Sequence, residues 1–133
     1  MIVLDTHVLL WLDQDSTRLG SMARSIIASA AAEGAIAVSA ISFWEVAMLV
    51  AKGRVTTSLD LERWRQDLLD AGLQELPVDG ATGFLATRLA PLHGDPADRM
   101  ILAAAMQRGA GLVTANERLL AWQGDIERHE ARL

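Results

Sequence analysis

The chain opens on Ile2-Val3-Leu4, an apolar triplet that runs straight into an acid, Asp5. Such a triplet fits a short strand buried on both faces, as inside a parallel sheet. The acid cannot belong to that buried run, because an ionised carboxylate is costly among apolar side chains. It therefore falls at the C-terminal end of the strand, the edge on which open α/β sheets place their ligands. Read alone, Asp5 has two readings of equal weight: a cap for the segment that follows, or a functional carboxylate that needs a partner.

The remaining elements alternate. A short apolar segment, Val8 to Leu12, follows the first strand. A helix is predicted from Leu19 to Ala32, stopped by Gly34, and then a strand from Ala35 to Val38. Ser39 or Ser42 caps a helix that runs to about Ala51 and ends at Lys52-Gly53. Asp60 to Leu69 is amphipathic, with Leu61, Trp64, Leu68 and Leu69 on one face and Glu62, Arg63, Gln66 and Asp67 on the other. Leu73 to Val78 reads as a strand, and Gly80 to Ala90 as a helix stopped at Pro91. Asp95-Pro96 opens a helix with Asp95 at the N-cap and Pro96 at the first position. That helix is apolar from Met100 to Met106, so it is expected to be buried on most sides. Leu112-Val113 is a buried strand, Asn116 to Leu120 a short helix, and the tail beyond Trp122 one edge strand. Short apolar strands separated by helices give an α/β fold, with a parallel-stranded central sheet flanked by helices on both faces.

Composition narrows the class. With 133 residues, of which 51% are hydrophobic and 22% charged, the chain reads as a single globular domain, residues 1–133. It contains no cysteine, so neither disulfides nor thiolate metal sites arise. No secretory signal is evident, because Asp5 interrupts the first apolar run. The longest apolar stretch is far too short for a bilayer, so no membrane association is expected. A formal net charge of −5 argues against a broad nucleic-acid-coating surface but leaves a nuclease open. Acids gathered around a metal count as negative in the sum, yet are neutralised when the metal is bound.

Four polar positions share one kind of placement. Asp5 ends the first strand. Glu45 interrupts the apolar run Phe43-Trp44-Glu45-Val46-Ala47 early in the helix after the second strand. Asp98 is in the first turn of the apolar helix, and Asn116 follows the Leu112-Val113 strand. In a parallel sheet all strand C-termini lie on one edge, so these distant segments can converge there. Asp98 is equally well explained by the helix dipole, and Asp95 by capping. An unpaired acid at Glu45 is harder to explain as idle. Hard oxygen donors without a His or Cys set favour Mg2+ or Mn2+ over zinc. Such ions polarise a phosphodiester and activate water.

Four segments then appear in order: Leu4-Asp5-Thr6-His7-Val8-Leu9-Leu10-Trp11, Ser42-Phe43-Trp44-Glu45-Val46-Ala47, Asp95-Pro96-Ala97-Asp98-Arg99-Met100-Ile101, and Leu112-Val113-Thr114-Ala115-Asn116-Glu117-Arg118. Together they resemble the PIN-domain family, specifically the VapC-type toxins of prokaryotic toxin–antitoxin pairs, over essentially the whole chain. The resemblance implies a cytoplasmic Mg2+- or Mn2+-dependent endoribonuclease. It implies a cognate VapB-type antitoxin that neutralises it, an RNA substrate, a homodimer, and DNA contact only through the antitoxin. It places the family's acids on Asp5, Glu45 and Asp98, which would ligate metal directly or, for Glu45, through water. The fourth position, usually Asp, is Asn116 here. That residue is expected to keep an oxygen ligand, lose a charge and weaken a second metal. Thr6, Arg99, Thr114 and Arg118 are the candidate substrate contacts, with solvated surface as the ordinary reading of the arginines. Lys52 and Arg54 share that ordinary reading. His7 reads as a substrate contact or as packing at a helix start. Trp11 and Trp44 read as core or dimer surface rather than base-stacking platforms. The alternative function is a nuclease-weak or inactive module that binds a partner protein or RNA, motivated by Asn116. A haloacid-dehalogenase-type phosphatase is disfavoured, because its second Asp is replaced by His7.

Overall fold

The computed structural model describes residues 1–56, 60–92 and 94–133. Five strands form one sheet: β1 (Ile2–Leu4), β2 (Ile36–Ser39), β3 (Gln74–Leu76), β4 (Gly111–Thr114) and β5 (Arg128–Glu130). Their order is β3-β2-β1-β4-β5, and every pairing is parallel. The helices between them are α1 (Thr6–Asp13), α2 (Ser21–Ala32), α3 (Ile41–Ala51), α4 (Leu61–Asp70), α5 (Gly80–Thr87), α6 (Pro96–Gln107) and α7 (Glu117–Ala121).

Strand alternation divides the core into two layers. Val3, Ala37 and Leu112 face one side and pack with Ile101, Leu102 and Ala105 of α6 and Ala86 of α5. Leu4, Val38 and Val113 face the other side and pack with Val8 and Leu9 of α1, Ile27 of α2 and Trp64 of α4. Both faces of β1 are therefore covered, which is why its triplet carries no polar residue. Among the described residues, no helix is long and apolar enough to cross a membrane.

Strand order reverses direction at the β1–β4 boundary, since the chain winds outward through β2 and β3 on one side and to β5 on the other. Loops leaving the C-terminal ends of β1 and β4 diverge there and leave a crevice, the usual ligand position in such sheets. Leu4 pairs with Val113, so Asp5 and the residues after Thr114 emerge side by side.

Several boundaries differ from the sequence reading for identifiable reasons. The apolar segment after Asp5 is a full helix, α1, with Asp5 as its N-cap. The predicted stop Gly34 has φ 66°, a conformation that glycine adopts without steric cost. Helix α5 ends at Thr87 rather than Ala90, because Leu89 and Leu92 turn inward and are buried in the α6 layer. Ser42 is not a cap: it lies inside α3 and is fully buried. Ser39 does accept a bond from the Ile41 N–H at 3.2 Å.

Candidate active site at the switch point

Asp5 is 4% exposed, and both its oxygens are engaged. Oδ1 accepts from the Thr6 N–H at 2.7 Å, and Oδ2 accepts from the Thr114 hydroxyl at 2.6 Å. The Thr114 oxygen also receives the Asn116 N–H at 3.0 Å. The strand-end acid is thus locked to the neighbouring strand by a threonine 109 positions away in sequence. Asp5 is both the cap and part of the cluster, so the two readings of this residue are not exclusive.

Glu45 is half-buried and reaches Thr6, whose hydroxyl lies 2.5 Å from Oε1 and 2.8 Å from the Ser42 hydroxyl. A threonine hydroxyl has one proton. With that proton given to the carboxylate, the Ser42 hydroxyl supplies the hydrogen for the second contact. Ser42 therefore orients Thr6, and Thr6 orients Glu45. The sequence marked Ser42 as a cap and gave no signal for this role, because its partner is 36 residues away in the chain.

Asp98 sits at the third position of α6, and its own N–H is capped by Asp95 at 3.2 Å. Its Oδ2 accepts from the Asn116 side-chain amide at 3.0 Å. The amide oxygen of Asn116 is committed elsewhere, to the N–H groups of Arg118 and Leu119 at the start of α7. This corrects the expectation for Asn116. An N-cap needs an acceptor, so the oxygen faces α7 and the NH2 faces the acids. In this arrangement Asn116 is a donor to a carboxylate, not an oxygen ligand.

Three further expectations change. Thr6 and Thr114 are buried and hold Glu45 and Asp5 respectively, so neither is placed to touch substrate. Arg99 points its guanidinium at the carbonyl oxygens of Ala86 (2.9 Å), Leu89 (3.4 Å) and Leu92 (2.6 Å). It ties the end of α5 to α6 instead of meeting phosphate, because the early stop of α5 leaves carbonyls that need donors. Arg118 fits its candidacy better. It is exposed and lines a cavity of about 410 Å3 with Asp95, Asp98, Asn116 and Glu117. On the other side of Asn116, a cleft of about 490 Å3 runs from Asp5 past Trp11.

The electrostatics follow from crowding. Burial pushes the Asp5 carboxyl above its ordinary value and Asp98 adds to this, against the bonds from Thr114 and Thr6 and the charge of His7. Glu45 is also raised, by burial first and then by Asp5, Asp98 and Asp95, with the Thr6 bond opposing. Like charges that raise one another in this way are relieved by a cation between them. Among the described residues no three acids or histidines stand close enough to enclose an ion unaided. That arrangement is incompatible with an all-protein cage but suits Mg2+, which typically takes one or two carboxylates and keeps its remaining waters. The oxygen-only donor set fits such an ion in kind.

Residues 2–123 match the PIN domain family. The chain belongs to the PIN-domain family. It is 35% identical over 121 residues to the ribonuclease VapC22 of Mycobacterium tuberculosis, covering 89% of this chain and 88% of that protein. The fold matches VapBC2 from Rickettsia felis bound to a promoter DNA fragment, with TM-score 0.71, 18% identity and 97% and 98% of the two chains covered. It also matches DNA-bound VapBC from Salmonella typhimurium, with TM-score 0.67, 21% identity and 96% of each chain covered. In this PIN domain Asp5 ends β1, and Asn116, just after the neighbouring β4, bonds Asp98.

Proposed function

We propose that the chain is a divalent-metal-dependent endoribonuclease of the VapC toxin type, held in check by a cognate antitoxin. The carrying observation is the gathering of Asp5, Glu45 and Asp98 at the switch point of a PIN domain 35% identical to a ribonuclease. Asp5 and Asp98 would hold Mg2+ or Mn2+, with Glu45 contributing through water. When bound, that ion offsets charge developing on the phosphate and lowers the pKa of water. The protein's own part is positional. Thr114 fixes Asp5, Ser42 and Thr6 fix Glu45, and Asn116 fixes Asp98. Arg118, on the rim beside Asp98, is placed to draw an RNA phosphate toward them.

The antitoxin assignment is supported by the VapC22 relative and by toxin–antitoxin complexes among the structures of the same fold. A homodimer is supported by large exposed apolar side chains, Trp44 on α3 at 52% and Phe84 on α5 at 69%. A cytoplasmic setting belongs to the same reading, as the place where the proposed RNA substrate would be met. One observation favours a second reading, a binding module with little nuclease activity: Asn116 turns its amide, not an oxygen, toward Asp98.

The test is incubation of purified protein with structured RNA in Mg2+ or Mn2+, with EDTA and Asp5→Ala as controls. Cleavage that survives either control refutes the proposed mechanism. Calorimetric titration with Mn2+ separates the two readings. A site in the micromolar range supports the nuclease. No site, and one created by Asn116→Asp, supports the binding module.

A further inference from the structure

The cleft on the Asp5 side of Asn116 has a mixed lining. Asp5, Asn116, the Trp11 indole, His7, Arg18 and Arg132 line it together. At about 490 Å3 it falls in the range of roughly 300–1,000 Å3 that ligand sites occupy. His7 and Trp11 lie four residues apart on α1 and so share its outward face, while Val8, Leu9 and Leu10 are buried in the core. Trp11 is partly buried, with one side packed on the core and the cleft beside it. Arg132 is paired with Glu130 at 2.9 Å. Arg18 is exposed, and among the described residues its guanidinium makes no hydrogen bond or ion pair.

The geometry points to this cleft as the subsite for the nucleotide next to the phosphate that is cut, with its base on Trp11 and its phosphate on Arg18, a role for Trp11 that the sequence reading sets aside in favour of core or dimer surface. The assignment rests on the ribonuclease reading and extends it to a specific pair of residues. A nucleotide presents an uncharged aromatic face and, beyond it, an anionic phosphate. The same cleft presents both an indole and a guanidinium beside Asp5. A basic peptide would be repelled by Arg18 and Arg132, and an acidic one by Asp5, whereas a nucleotide offers a neutral aromatic face and an anionic phosphate. Stacking on an aromatic side chain is tolerant of base identity. Selectivity at this position is therefore weak, and the contribution is to affinity and placement.

The experiment measures fluorescence anisotropy of a labelled single-stranded RNA in Mg2+, on a Glu45→Gln background so that RNA is not cut. Glu45 does not line this cleft. Trp11→Ala is expected to weaken binding on the order of 5- to 100-fold, the range of one stacking contact. Trp11→Phe, which keeps an aromatic face and guards against a folding defect, should stay within about 3-fold by the same reasoning. Arg18→Gln should reduce the slope of log affinity against log salt by about 0.7, one phosphate's worth of released counterion. Unchanged affinity for Trp11→Ala together with an unchanged slope for Arg18→Gln overturns the subsite while leaving a bound and cut RNA intact as the broader function. If the unsubstituted protein neither binds nor cuts RNA, both readings fall. If the variants keep RNA affinity but lose the cognate antitoxin, the cleft belongs to the antitoxin and the subsite is overturned.

Discussion

Thr6→Val is the most informative single change, because it alters little but a hydrogen-bond network. Valine keeps the shape and the methyl group and removes the hydroxyl from a side chain only 1% exposed. Two contacts disappear, the 2.5 Å bond to Glu45 and the 2.8 Å bond to Ser42. A hydrogen bond to a charged group contributes about 1.5–3 kcal/mol. Glu45 is only half-buried, so water recovers part of this and roughly 1–2 kcal/mol is lost. The stranded, fully buried Ser42 hydroxyl adds about 1 kcal/mol. The expected cost is roughly 2–3 kcal/mol, or on the order of 6–15 °C in Tm for a domain of this size. Thermal and urea denaturation in EDTA measure it. Thr6→Ser keeps the hydroxyl and should lose only about 1 kcal/mol for a buried methyl. Adding Ser42→Ala to Thr6→Val removes one stranded group, so the double variant should be about 1 kcal/mol better than the sum of the singles. A Thr6→Val protein that melts within about 2 °C of the parent refutes the network as a structural element.

Three other outcomes follow from the same coordinates. Glycine 20 packs against the backbone of Arg132 and Leu133, and an added Cβ would overlap the Leu133 carbonyl carbon. Gly20→Ala should therefore break the bonds from the Gly20 and Met22 N–H groups to Ala131 and Leu133, at about 1–3 kcal/mol, and hydrogen exchange at Met22 should accelerate; unchanged exchange would refute this. Because the Asp5 and Glu45 carboxyls are raised in the fold, the native state holds protons that the unfolded chain releases above its ordinary carboxylate range. Stability in EDTA therefore falls as pH rises through the folded values, and acidification toward the ordinary carboxylate range should raise the Tm of the parent relative to Asp5→Asn, with saturating Mg2+ shrinking the difference. An identical pH profile for the two proteins would exclude Asp5 as the source. Arg99→Gln loses the guanidinium that serves three carbonyls and should cost about 1–3 kcal/mol while leaving the salt dependence of RNA binding unchanged. A changed salt slope would return Arg99 to the phosphate-contact role.

What the sequence disclosed depended on range. Strand β1, the Gly34 stop, and the Asp95-Pro96 helix start were legible because the decisive groups are adjacent in the chain. The placement of Asp5, Glu45 and Asp98 on one edge was also legible, since parallel strands put their C-termini together. The orientation of Asn116 was not. It is decided by two backbone N–H groups in α7 competing for the amide oxygen, and residue identity does not record which atom wins. Ser42 was invisible as a site residue because a serine near a helix start reads as a cap, and its buried partner Thr6 belongs to another element. Arg99 was misread because the premature end of α5 that employs it depends on where Leu89 and Leu92 find core to bury into.

The bond between Thr114 and Asp5 ties the order of synthesis to the onset of activity. Strand β1 is made more than a hundred residues before β4, yet it lies between β2 and β4 in the sheet. Asp98, Thr114 and Asn116 are likewise late. An emerging chain therefore carries Asp5 without the strand that flanks it or the threonine that holds it. Under the proposed function, a nascent chain cannot cut RNA beside the ribosome that is making it. Competence arrives only after β4 and the start of α7 have been made, when the sheet that an antitoxin would meet is also assembled.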